Sequence, residues 1–401
     1  MEHKIIYITS FKSLGVLGVS FETFFKSLDK NFSNICIVNV DNLRLFSKSK
    51  KFKIDKKIKN KFPKKFKFED PLNFAELDNI VNKGDLIINN ISGHYKYFNI
   101  LYFLSRRKNS QIVVSNIGNV QGSMWYYWDK NVNYYISLLT TILPKKITAI
   151  FTFLGIFRKI DIRFTSNKYL YKNFYRNKKK FLARPSIYKE MILVKSNRFE
   201  EESNVDLSNK YITLLDFQPD YSEMKNATGE HDKQKISKHY ENTIIFLNKI
   251  KKIYKKEIAI CIHPLYDLKR ISKIYKNFKV YKFRTKEFIK KSFLVLFYDS
   301  SAIIDAIINK KRIIALKTDL YKGKKDASSI YTDIIPFKTI NISKSISINK
   351  LKLKNQLDRK IPLYNNYLKK FAQENQKEKG NEKIIRIIKK KFFNHQKIKI
   401  N

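Results

Sequence analysis

Between residues 258 and 316 the chain alternates short apolar runs with helical stretches and places its polar residues at one end of each run. IleAlaIleCysIle at 258–262 is continuously apolar, as a parallel strand covered on both faces must be. It stops at His263 and Pro264. PheLeuValLeuPhe at 293–297 repeats the pattern and passes into Tyr298, Asp299, Ser300 and Ser301, after which AlaIleIleAspAlaIleIle has the apolar density of a partly buried helix. This alternation restricts the segment to an α/β fold with a parallel sheet, in which ligands bind beyond the carboxyl ends of the strands. Ser300 or Ser301 is expected to cap the helix, whose free N–H groups suit a phosphate. Two strand ends, one with HisPro and one with SerSer, are thus expected to face one diphosphate or phosphodiester.

The first half of the chain repeats the alternation. LysIleIleTyrIle at 4–8 and IleCysIleValAsnVal at 35–40 read as strands around a helix over 20–29. The runs at 85–90 and 111–116 flank a second helix over 95–108, and 161–166 reads as a late strand. With 401 residues there is length for two domains. We expect an acceptor-side Rossmann-like domain over 1–195, a polar linker over 196–210, a nucleotide-donor domain over 211–345 and a basic helical tail over 346–401. In the tail, 365–393 reads as one long helix with Ile384, Ile387, Ile388 and Phe392 near one face. The Lys- and Phe-rich stretch 49–68 has no clean period and reads as an exposed basic excursion, a candidate membrane or acceptor contact.

The formal charge is +47, from 82 Lys and Arg against 35 Asp and Glu. Much of this excess accompanies an abundance of Lys, Ile, Asn, Phe and Tyr, and leaves solvated lysines on many faces. Such a surface is drawn to anionic lipid headgroups. No zinc-finger spacing, RNP motif or helix-turn-helix pattern stands in the sequence, so no specific nucleic-acid partner is expected. Cys36 and Cys261 each fall inside a strand, which speaks for core thiols in a reducing compartment. The amino-terminal residues run directly into a strand without the zones of a secretion signal. The expected location is cytoplasmic, peripheral at the inner membrane. The apolar segment 134–157 is broken by Pro144, Lys145 and Lys146 and is too short to span a bilayer. Trp125, Tyr126, Tyr127 and Trp128 precede it, so it reads either as a shallow membrane dip or as a buried helix hairpin. The six histidines are scattered and no acidic triplet has ligand spacing. No protein-bound metal and no cofactor are expected.

The residues over 211–320 carry a resemblance. TyrIleThrLeuLeuAsp at 211–216 with GlnProAsp at 218–220, IleHisPro at 262–264, ArgThrLysGluPheIle at 284–289 and AspSerSerAlaIleIleAspAla at 299–306 resemble bacterial surface-polysaccharide glycosyltransferases of the GT-B type. The HisPro and SerSer pair is similar to that of sialyltransferases and of capsule transferases using CMP-activated ulosonic acids. Together with Asp319 and Tyr321 it is also similar to CDP-glycerol glycerophosphotransferases. The acidic-acidic-Gly motif of sialyltransferases is not found, and TyrAspSerSer stands where the glycerophosphotransferases have AspTyrSerSer.

The resemblance implies two Rossmann-like domains facing a cleft, with the last helix crossing back to the first domain. It implies a metal-independent glycosyltransferase with acceptor on the first domain and donor on the second. In that frame His263, held at its turn by Pro264, donates hydrogen bonds to the leaving phosphate, and Ser300 and Ser301 bind that phosphate from the other side. Arg284, Thr285 and Glu287 lie beside the nucleoside; for Glu287, stabilisation of its own helix start competes with a ribose contact. Asp216, at the cleft mouth past its strand, is taken as catalytic; the general base is one of Asp216, Asp220, Glu223 and Asp232, or comes from the first domain, where His94 and Asp41 lie past strand ends, and His94 and Asp220 are the acceptor-side candidates. Asp305 braces its own helix. The expected activity moves a sugar from a nucleotide donor, CMP-linked, to a surface polysaccharide or lipid-linked glycan. The alternatives are transfer of an alditol phosphate from a CDP-alcohol, or a noncatalytic basic scaffold on membrane or nucleic acid.

Overall fold

The computed structural model describes residues 4–10, 19–43, 62–91, 98–114, 143–178, 187–199, 208–217, 219, 233–263, 266–298, 300–320, 335–344, 355–373 and 375–393. They form two compact units. The first takes the described residues up to 199 and again from 370, and the second those from 208 to 369.

In the first unit seven parallel strands form one sheet: β1 (Ile5–Thr9), β2 (Ile35–Asn39), β3 (Lys67–Glu69), β4 (Leu86–Asn90), β5 (Gln111–Val114), β6 (Ile160–Thr165) and β7 (Tyr188–Leu193), in the order β3-β2-β1-β4-β5-β6-β7. Strand periodicity sends alternate side chains to opposite faces. Ile5, Tyr7, Ile37 and Ile88 meet Phe24, Phe25 and Leu28 of the helix Val19–Asn31. Ile6, Ile8, Val38 and Ile87 meet Leu77 of Phe74–Ile80 and Ile100 and Leu104 of Phe98–Arg106 on the other face.

The second unit carries β8 (Tyr211–Leu215), β9 (Glu257–Ile262), β10 (Lys279–Lys282), β11 (Ser292–Phe297), β12 (Arg312–Lys317) and β13 (Lys338–Asn341), also parallel, in the order β10-β9-β8-β11-β12-β13. The 22-residue helix Lys233–Tyr254 buries Tyr240, Phe246, Leu247 and Ile250 against Ile212, Leu214, Ile260 and Leu296. Both sheets therefore follow the doubly wound order 3-2-1-4-5-6. The strand order reverses between β1 and β4 in one unit and between β8 and β11 in the other, which is where such folds hold ligands.

Several expectations change. The tail is two helices, Tyr364–Phe371 and Gly380–Ile388, in place of one over 365–393. The break lies at Gln373, whose φ of 55° is left-handed and whose Nε2 donates to the Ser166 carbonyl at 3.2 Å. The second helix does cross back: Ile384, Ile385 and Ile388 are buried in the first unit's core. Of the excursion 49–68, residues 49–61 lie outside the described residues, and the remainder is not an exposed loop. Phe62 and Phe66 are buried, their rings 4.7 and 6.0 Å from that of Phe25, because an aromatic pair gains more from the core than its lysine neighbours lose. Residues 196–199 of the expected linker are packed into the first unit, with the Ser196 N–H donating to the Ala372 carbonyl at 2.9 Å. No helix among the described residues is long and apolar enough to cross a membrane.

Candidate functional site

The carboxyl edge of the second sheet gathers most of the residues singled out by sequence. Leu215 of β8 stands in register with Cys261 of β9 and Phe297 of β11, so the residues just past these positions emerge side by side at the switch point. Asp216 is the first residue beyond β8. Its N–H donates to the Cys261 carbonyl at 3.0 Å, and its side chain is turned inward, leaving the residue 5% exposed. Oδ1 accepts from the Tyr275 hydroxyl at 2.9 Å, whereas Oδ2 accepts no hydrogen bond. Burial pushes the carboxyl up to about 7. The Tyr275 hydroxyl pulls the other way, and so does the Phe217 N–H.

A shell of buried hydroxyls surrounds this carboxyl. Tyr298, directly past β11, shares a hydrogen bond of 2.9 Å with Thr243, and Thr243 donates to the His239 carbonyl at 2.8 Å. His239 Nδ1 lies 3.1 Å from the Thr318 hydroxyl. The Phe217 ring stands 5.6 Å from His239 and 5.7 Å from Tyr298, and Tyr240 stands 5.7 Å from Tyr275. Burial first, and then the neighbouring Asp216, raise the Tyr240 and Tyr275 hydroxyls well above the usual phenol range, so both remain protonated donors. A carboxyl poised near neutrality inside such a cage suits proton transfer or fixed orientation of the strand end.

His263 lies one strand over, past β9, and presents an exposed face. Its carbonyl accepts from the Tyr266 N–H at 3.0 Å and its ring is 5.4 Å from that of Tyr266. Lys282, at the end of β10, donates to the Tyr266 carbonyl at 3.0 Å. Packing of the surrounding protein, and secondarily the Lys282 charge, hold the imidazole below its ordinary pKa. It is neutral at pH 7 and can donate from one nitrogen.

Past β10, Arg284 grips Glu287 with Nε to Oε2 and Nη2 to Oε1, both 2.8 Å, and Lys291 reaches Oε1 at 3.0 Å. The Arg284 hydrogen bonds lead in lowering the Glu287 carboxyl to about 2. The Arg284 guanidinium also lies over the rings of Tyr281 and Phe288 at 5.3 and 5.1 Å. The pair spans the start of the helix Thr285–Lys290, which Arg284 precedes as its cap residue, and a side-chain hydrogen bond links Thr285 to the buried Cys261 thiol. Ser300 and Ser301 do sit past β11, but Ala302 is the cap residue of the helix Ile303–Ile308 and no side chain caps it. Instead the Ser300 hydroxyl accepts from the Ala302 N–H at 3.3 Å, leaving Ser301 exposed. Asp305 is buried at 5% exposure inside that helix. Pro264, Asp220, Glu223, Asp232, His94 and Trp125 to Trp128 lie outside the described residues.

At the corresponding edge of the first unit, Asp41 accepts from the Ser10 hydroxyl at 2.5 Å, and Asp70 accepts from Asn39 and Asn42 at 3.0 and 2.7 Å. Sequence reasoning missed Tyr275, Lys282, His239 and Tyr298 as partners of the named residues. Only Tyr298 carried a signal, by its place beside the SerSer pair.

No protein-family model matches the chain, and no curated protein matches its sequence. Solved structures do. The wall teichoic acid polymerase TagF superposes with a TM-score of 0.56 at 13% identity, over 98% of this chain and 90% of its own. CalG4, the calicheamicin glycosyltransferase, superposes with a TM-score of 0.51 at 7% identity, over 99% and 100%. The fold is GT-B. The complex of S. aureus MnaA with UDP agrees with this, at a TM-score of 0.51 and 13% identity over 96% of each chain. At these identities the likeness establishes the GT-B fold and leaves the chemistry to the residues.

Proposed function

We propose that this chain is a metal-independent glycosyltransferase that transfers a sugar from a nucleotide donor, CMP-linked, to a surface polysaccharide or lipid-linked glycan. It works at the anionic face of the inner membrane from the cytoplasmic side. The observation that supports this most is the meeting of Asp216, His263 and the SerSer pair on adjacent strand ends at the switch point of the second GT-B sheet. The neutral imidazole donates to the departing phosphate, the serine hydroxyls and Arg284 hold the nucleotide, and Thr285 lines its approach. Asp216 is assigned as the base or, given its burial, as the group that positions the base. An alditol phosphate donor is the second reading. It is favoured by the likeness to TagF, a variant of which has been soaked with CDPG, at a TM-score of 0.56.

Thermal unfolding in the presence of CMP, CDP, UDP and GDP separates the readings from a noncatalytic scaffold. A ligand that prefers the folded state at a hundred times its Kd stabilises it by about 2.7 kcal/mol. A CMP-selective rise, followed by CMP release from CMP-linked sugar in preference to CDP-glycerol, is expected. Selectivity for UDP would overturn the donor assignment, and silence toward all four nucleotides would overturn the enzyme reading.

A further inference from the structure

The helix Leu143–Phe153 and the turn after it expose four large apolar side chains. Ile150, Phe153, Leu154 and Ile156 are 48, 72, 61 and 51% exposed, while Thr152 and Phe157 between them are buried. The Thr152 hydroxyl is returned to the Thr148 carbonyl at 2.7 Å. Hydrogen bonds fix the turn: Leu154 N–H to Ile150 O at 2.9 Å and Phe157 N–H to Phe151 O at 3.0 Å. Gly155 supplies the left-handed φ of 76° that the turn requires. The Phe157 ring packs on Phe151 at 5.4 Å and on Tyr102 at 5.6 Å. Tyr102, itself 40% exposed, extends the apolar surface onto the neighbouring helix Phe98–Arg106. The projection is built on a buried anchor.

Its rim is basic. Arg106 lies over the Tyr102 ring at 5.6 Å and donates to its hydroxyl at 3.2 Å, and Lys108 and Lys159 are exposed. Arg158 donates to the Asn109 carbonyl at 3.2 Å, tying the two basic segments together. The nearby carboxylates are engaged: Asp161 accepts from the Gln111 N–H at 2.9 Å and from Lys189 at 2.6 Å, and Asp78 is paired with Arg107. The exposed apolar area, roughly 500 Å², is at the scale that marks interaction sites on soluble proteins. Aromatic and aliphatic tips beside the exposed cations Arg106, Lys108 and Lys159 match the boundary between acyl chains and anionic headgroups.

We propose that this turn is a membrane wedge. Phe153, Leu154 and Ile156 enter the acyl boundary of an anionic bilayer, and Arg106, Lys108 and Lys159 bind the lipid phosphates. The wedge rests on the peripheral membrane association proposed above and assigns it a surface.

The test is sedimentation of the full chain with phosphatidylcholine vesicles, with and without phosphatidylglycerol. The Phe153→Ser, Leu154→Ser double variant is expected to lose at least about tenfold in partitioning while its Tm and circular dichroism hold, since both positions are exposed. Arg106→Ser with Lys159→Ser should remove most of the preference for phosphatidylglycerol. Phe153→Trp should gain quenching by brominated lipid over the native tryptophans. No binding of the parent chain to phosphatidylglycerol vesicles would overturn the wedge and the membrane association together. Equal binding by parent and double variant would overturn the wedge alone. A parent dimer in light scattering that the double variant dissolves would assign the patch to a second copy and overturn the wedge. Nucleotide selectivity in solution tests the enzyme reading separately from all of these.

Discussion

His263 and Asp216 sit on neighbouring strands yet face different surroundings, and their chemistry diverges accordingly. His263 opens to solvent and is neutral at pH 7, so His263→Ala should lower kcat by roughly 10² to 10³, as loss of a phosphate-stabilising donor does, with Tm nearly unchanged. Steady-state CMP release checks this, and turnover within a few-fold of the parent would remove the residue from the reaction. Asp216 is an acid whose folded pKa, about 7, lies above its unfolded value near 3.8. Between these values the folded state binds more protons than the unfolded chain, so stability falls as pH rises through this window and the cost is complete above about pH 7. Asp216→Asn keeps an acceptor for Tyr275 and removes that dependence. Its Tm should gain on the parent between pH 5 and 8, by an amount equivalent to a few kcal/mol at most. Parallel Tm curves for the two proteins would show that the carboxyl is ionised at the same pH in both states.

At the scale of elements, the inner strands were legible and the edges were not. β1, β2, β4, β9 and β11 are apolar runs because both faces are covered, and each is found within a residue or two of its expected limits. β3, β7 and β13 are edge strands with mixed exposure, so their sequences carry charge and no clean alternation. The candidate site was legible only as a set of strand ends, because HisPro and SerSer punctuate apolar runs. Its inner shell was not: Tyr275 and His239 reach Asp216 and Thr318 from helices or turns dozens of residues away, and a tyrosine in a tyrosine-rich chain gives no sign of which carboxyl it will meet. The break in the tail was equally silent, since neither Gly nor Pro marks Gln373. The helix Gly380–Ile388 supplies a test of core packing. Ile384 is fully buried, and Ile384→Ala should destabilise the first unit by about 2–5 kcal/mol, read by urea unfolding. A change below about 0.5 kcal/mol would mean that the helix detaches in solution.

For the molecule as a whole, the reading is of nucleotide chemistry carried by protein groups alone, and turnover should survive chelation: activity after EDTA treatment is expected to match the untreated enzyme. A loss restored by one added divalent cation would overturn metal independence. The +47 charge is spread over both units and does not itself define a partner. Its consequence is general, a salt-sensitive attraction to any polyanion, and it is the placement of a few cations beside exposed apolar side chains that gives the attraction a direction.

The return of the chain to its first unit also sets an order of assembly. The second unit is continuous from 208 to 369, but the first buries Ile384, Ile385 and Ile388, residues made after the whole of that unit. Domains usually mature on the ribosome from the amino terminus onward. Here the earlier-made sheet must wait with the part of one apolar face that Ile384, Ile385 and Ile388 cover left open while the later-made unit closes, so a nascent chain of this protein is most exposed to chaperones and proteases through the half that was translated first.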